Sequence, residues 1–175
     1  MSEVDSGSKS KHFRKLPVLG SIIMGVLCFL YAIPLDWISI GFLGGISEIR
    51  FEILTINGQQ YFLWGIMDTS SFILNFTQLN VETLLALLIL ICGLVSAICG
   101  LIGSSYKARP TKMKKLVKIA AFMTIMILLY HLTLYIFLGI LGAQAVQFGT
   151  GFYLLVIAIV VYMIGFVKMT TYSEF

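Results

Sequence analysis

The stretch LLALLILICGLVSAICGLI, residues 84–102, decides the reading of this chain. It holds no Asp, Glu, Lys or Arg. At about 1.5 Å per residue a helix of that length covers roughly 28 Å, close to the ~30 Å hydrocarbon core of a bilayer. Residues 16–33, 119–141 and 152–167 have the same charge-free character. A hydrophobic share of 59% against 11% charged, with a mean hydropathy of +0.98, lies outside the range of a water-soluble domain. The sequence therefore predicts an all-α membrane protein, a bundle of four transmembrane helices at about 16–34, 81–104, 116–141 and 150–168.

The charges between the stretches give the bundle a direction. All Lys and Arg but one lie in the N-terminal tail (Lys9, Lys11, Arg14, Lys15), between the second and third stretches (Lys107, Arg109, Lys112, Lys114, Lys115, Lys118) or after the last (Lys168). The connection from the first stretch to the second has the opposite sign, with Asp36, Glu48, Glu52, Asp68 and Glu82 against Arg50 alone. By the positive-inside rule both termini are expected in the cytoplasm, residues 36–80 outside, and the chain in the plasma or cell membrane. The formal charge of +4 is thus a topology signal. It argues for contact with membrane lipid, anionic at the inner face, and not for nucleic acid. Residues 1–15 read as a disordered basic tail, 16–170 as the membrane domain and 171–175 as a second short tail. The first stretch reads as an uncleaved signal anchor, because no small-x-small site precedes Trp37.

The outer loop is patterned. Pro34 is expected to end the first helix, and Trp37 stands where an interfacial anchor belongs. Residues 46–56 alternate around Ile49, Phe51 and Ile53 as a half-buried strand does. Asn57-Gly58 suits a two-residue type I′ hairpin, because both positions need positive φ, and residues 60–66 would be the returning strand. Residues 70–77 offer a further strand. Together these predict a small extracellular antiparallel β-sheet of about three to five strands. Asn75-Phe76-Thr77 is a sequon, which makes Asn75 the candidate glycosylation site. Residues 142–151 read as a tight outer turn, and 104–115 as a basic surface turn broken by Pro110.

Within the spans, Gly93, Ala97 and Gly100, with Ser96 between them, give the second helix the small-xxx-small spacing of close helix packing, inside the bundle or between copies. Asn80 suits its N-cap and Glu82 its first turn. Cys28, Cys92 and Cys99 all lie inside spans, so they cannot staple the outer loop, and they read as small apolar filler. His131 is the polar group that stands out at membrane depth. A ligand or proton-transfer role for it competes with a hydrogen bond to a neighbouring helix, with Tyr130, Thr133 or Tyr135 as polar company. No paired carboxylates, nucleophile-and-base set or phosphate loop is present, and Gly41-Phe42-Leu43-Gly44-Gly45 lacks the lysine such a loop needs. The expectation is a protein that is not an enzyme, with no catalytic residue, no metal and no cofactor.

Four spans with both ends inside, a long first outer loop of strands, a tight second outer turn and a basic inner loop resemble the claudin, peripheral myelin protein and calcium-channel γ-subunit superfamily. Trp37 lies just after the first span, as a family tryptophan does. Phe62-Leu63-Trp64 falls where the family has Gly-Leu-Trp, so Leu63 and Trp64 match and Phe62 departs. Phe148-Gly149 followed by Phe152-Tyr153 is similar to the aromatic-glycine pattern that opens the family's last span. The family's pair of loop cysteines would fall near Met67 and shortly after it, where this chain has none. The resemblance therefore implies a sheet without a staple that typically contributes about 2–4 kcal/mol. It also implies a claudin-like tetraspan acting as a scaffold, adhesion or lateral assembly component. Its interaction platform would be Trp37, Leu63, Trp64, Phe148 and Gly149, and its partners further copies in a homo-oligomer or other integral membrane proteins. The alternative is an accessory subunit of a larger membrane enzyme, channel or transporter.

Overall fold

The computed structural model describes residues 15–30, 32–34, 48–63, 66–68, 71–73, 81–105, 110–140 and 146–171; Trp37, Trp64 and Asn75 lie outside them. Four helices, α1 (Lys15–Phe29), α2 (Val81–Ser105), α3 (Pro110–Ile140) and α4 (Thr150–Thr171), form a ring in which α1 and α3 each pack on both α2 and α4. Neighbours run antiparallel. Ser21 of α1 lies by Gly100 of α2 and Cys28 by Gly93, while Pro17 lies by Gly165 of α4 and Gly20 by Tyr162. Met24, Cys28, Ile89, Val117, Ala120, Ile127, Leu155 and Ala158 fill the centre.

The outside of the ring is as apolar as the inside. Leu88, Ile91, Ile98, Phe122, Leu129, Ile157 and Val160 are all exposed. A helix that is hydrophobic all round needs an apolar solvent, and so continuous a wall is rare on a soluble monomer. α2, α3 and α4 are each long and apolar enough to cross a membrane, which marks a membrane-embedded protein. α1 has 15 residues, roughly 22 Å of helix.

Two helix bounds differ most from the sequence expectation. α1 stops at Phe29, where the Leu30 N–H makes its final turn bond to the Val26 carbonyl at 2.8 Å, instead of running to Pro34. Ala32–Pro34 is instead β1, paired antiparallel with β2 (Glu48–Arg50) in a two-stranded sheet. The reason is local: the residue before a proline avoids the α region, and Pro34, lacking an N–H, suits a strand at an edge. α3 starts at Pro110, six residues before the expected 116. A proline at the first helical position gives up only an N–H that would have had no partner there, so it opens the helix it was expected to hold off.

A second sheet has five antiparallel strands in the order β6-β5-β4-β3-β7, with β3 (Leu54–Ile56), β4 (Gln59–Tyr61), β5 (Ile66–Asp68), β6 (Ser71–Ile73) and β7 (Val146–Phe148). The hairpin is as the sequence predicts. Asn57 has φ 49° and Gly58 φ 87°, with Ile56 opposite Gln59 and Leu54 opposite Tyr61. The long strand expected at 46–56 is split, β2 joining one sheet and β3 the other, and the return expected at 60–66 is split where Phe62 and Leu63 turn down into the bundle.

Residues 142–151 are more than the tight turn expected of them. Val146, Gln147 and Phe148 stand opposite Ile56, Thr55 and Leu54, so the connection from α3 to α4 supplies the sheet's fifth strand. This pairing places both long connections at one end of the bundle. Lys15, Lys112, Lys114, Lys115, Lys118 and Lys168, at the starts of α1 and α3 and the end of α4, therefore lie at the other end.

Candidate functional site

The sheet is fixed to the bundle where Phe148-Gly149-Thr150-Gly151-Phe152 meets residues 50–53. The first N–H groups of any helix lack intrahelical partners, and here the loop provides acceptors. The Gly149 N–H donates to the Ile53 carbonyl at 3.0 Å, the Gly151 N–H to the Glu52 carbonyl at 2.9 Å and the Thr150 hydroxyl to the Arg50 carbonyl. Those carbonyls are lost to any ladder, which explains the break between β2 and β3. Both glycines are required by close approach: a Cβ at Gly149 would strike the backbone and Cγ of Glu52, and one at Gly151 the carbonyl oxygen of Phe51.

Aromatic rings brace the same joint. Phe148 stacks on Tyr135 of α3 with centroids 4.7 Å apart and on Phe152 of α4 at 4.2 Å, and Phe152 meets Tyr153 edge-on at 5.9 Å. Such pairs contribute about 0.5–1.5 kcal/mol each beyond the area they bury. Glu52 lies against Gly149, and its Oε2 is inaccessible and without a hydrogen-bond partner. The positive end of α4 is the compensation available to that carboxylate.

The residues proposed from sequence as a platform are therefore anchors where they are described. Leu63 is 1% exposed and packs over Gly93 of α2, so it holds the sheet down on the bundle. Gly149 is buried in the joint and Phe148 is half-buried in the aromatic stack. The exposed polar surface at this end includes the hairpin tip, Asn57 to Gln59, and Arg50 of β2, whose guanidinium donates to Gln60 Oε1 at 2.9 Å.

His131 serves the same joint. It is 1% exposed, with Nδ1 2.9 Å from the Ile127 carbonyl of its own helix and Nε2 3.4 Å from the carbonyl of Phe62. Its partner beyond α3 is thus the β4–β5 connection and not a neighbouring helix, and Tyr130 meets its ring edge-on at 5.1 Å. A neutral imidazole has one N–H and can donate to only one of the two carbonyls. No three of His, Cys, Asp and Glu come together among the described residues, so His131 has no companion ligands there.

Deeper in the bundle, hydroxyls tie all four helices together. Ser96 of α2 lies 2.7 Å from Thr124 of α3 and donates to the Ala120 carbonyl at 3.0 Å. The Tyr162 hydroxyl of α4 donates to the Ser96 carbonyl at 3.3 Å and lies 3.3 Å from Ser21 of α1. Gly20 and Gly100 leave the room that the Tyr162 ring occupies, and Gly93 leaves room for the Cys28 sulfur. Gly93 and Gly100 thus face the bundle's own interior, and Ala97 packs partly buried against the same core. Ser21, Thr124 and Tyr162 were not singled out from the sequence, where hydroxyls scattered through apolar runs carry no spacing signal. No protein-family model matches the chain, and no curated protein matches its sequence.

Proposed function

We propose that this chain is a non-enzymatic, claudin-like tetraspan protein of the plasma membrane. In this reading both termini are cytoplasmic, and the outer sheet acts as the surface for scaffolding, adhesion or lateral assembly. One observation carries it: a five-stranded sheet draws strands from both connections at one end of the bundle and is locked to the start of α4. A linker needs no such construction, whereas a surface that must keep its shape against a partner does. The charge distribution supports the direction, since Glu48, Glu52, Asp68 and Glu82 belong to the sheet end and the described lysines to the other. α1 crosses as the fourth span if its roughly 22 Å of helix is continued across the hydrocarbon by the connection to β1, Ala32–Pro34, whose residues rise about 3.3 Å each.

The experiment is a mild-detergent extraction from native membranes, with mass and stoichiometry read by native mass spectrometry. Oligomers of the chain alone support a self-assembling scaffold. A fixed foreign integral membrane protein at constant stoichiometry makes the chain an accessory subunit. Monomer at every concentration overturns the assembly reading.

A further inference from the structure

The start of α3 departs from the rules that govern exposed helices. Lys112, Lys115 and Lys118 follow one another at three-residue spacing, all exposed, with Lys114 beside them and no acidic residue in the first turn. Like charges three or four residues apart repel, and cations are unfavourable at the positive end of a helix. No described Asp or Glu lies at this end to offset Lys112, Lys115 and Lys118; the described acids Glu48, Glu52, Asp68 and Glu82 all belong to the opposite end.

The lysines also cannot swing away as a loop would. Met113, Val117, Ala120 and Ala121, on the other side of the same turns, are buried, and Gly103 of α2 packs closely against Leu116 and Val117. The helix start is therefore held rigid with its cationic side turned outward.

Position along the helix identifies what meets this side. The charge-free run of α3 begins at Ile119, directly after Lys118. From Lys118 back to Lys112 the helix rises about 9 Å. A bilayer's polar layer is roughly 5–8 Å deep on each face, the difference between its full thickness and its hydrocarbon core. The stripe thus stands across the headgroup layer, each lysine at a different depth.

We infer that Lys112, Lys115 and Lys118 form a binding site for the phosphates of anionic phospholipid headgroups. The lipid, and not a soluble phosphate, is the ligand, because the stripe starts at the hydrocarbon boundary and rises through the headgroup layer. This inference does not depend on what the sheet end binds.

The test uses the full chain purified into mixed micelles of phosphatidylcholine and phosphatidylglycerol in equal amounts, with retained lipid read by native mass spectrometry. Wild type should retain phosphatidylglycerol well above its share. The triple variant Lys112→Gln, Lys115→Gln, Lys118→Gln should lose that preference, by about fivefold for each charge removed. The corresponding Lys→Arg triple should keep it, and Lys168→Gln, at the same end but on α4, should leave it nearly unchanged. Equal retention of the two lipids by wild type overturns the site without reference to any variant. So does an undiminished preference in a Gln triple that remains helical and monodisperse, or competition by inorganic phosphate as effective as by the lipid.

Discussion

The joint between sheet and bundle and the interior of the bundle solve the same problem with different materials. In both, glycines omit a side chain so that something else can come close. At the joint that something is backbone: the carbonyl oxygens of Phe51 and Glu52 lie where the Cβ atoms of Gly151 and Gly149 would be. In the interior it is side chain, the Tyr162 ring and the Ser21 hydroxyl against Gly20 and Gly100. A side chain can turn to another rotamer, but a backbone segment held by hydrogen bonds, as residues 52 and 53 are by Gly151, Gly149 and Tyr61, can yield only by breaking them. The joint should therefore be the more brittle of the two.

The sharpest way to break that contrast is Gly149→Ala. The new methyl group cannot be accommodated while Gly149 and Gly151 still donate to residues 52 and 53, and a loss of about 3 kcal/mol or more is expected. Thermal unfolding in mild detergent reads this directly; an unchanged midpoint would mean that the loop does not rest on α4 as described. Gly100→Ala should cost less, about 1–2 kcal/mol, because flexible groups give way. Combining it with Ser21→Ala should cost at least 0.5 kcal/mol less than the two changes summed, since the hydroxyl nearest the new methyl is gone. Strict additivity would place Ser21 away from Gly100. The smallest effect belongs to the hairpin, where Gly58→Ala should cost about 1 kcal/mol because of its positive φ. Asn57→Gly, at the neighbouring position, should stay within a few tenths of wild type. Equal losses at Gly58 and Gly149 would erase the distinction between a strained turn and a blocked contact.

The parts of this structure that could be read in advance are those with a local cause. Asn57-Gly58 specifies its own turn, and the apolar stretches specify the helices, because neither depends on distant residues. The fifth strand, Val146–Phe148, could not be read, because three residues carry no alternation long enough to register and their pairing partner is β3. The split between β2 and β3 was hidden for a related reason: residues 50–53 alternate like a strand, and only the start of α4 diverts their carbonyls. Leu63 was legible as a special residue through resemblance, but its burial was not, since a buried anchor and a surface contact are spelled with the same apolar letter.

The pairing of Leu54 with Phe148 also imposes an order of events. β3 emerges about ninety residues before its partner, so at a synthesis rate of roughly 5–20 residues per second its edge waits some 5–20 seconds. During that interval α3 and α4 must be inserted in the correct sense, because a reversed pair would strand residues 146–148 on the wrong face of the bilayer. The sheet can therefore close only in a molecule whose two connections lie on the same face of the bilayer, and until β7 arrives the β3 edge that it will cover stays unpaired.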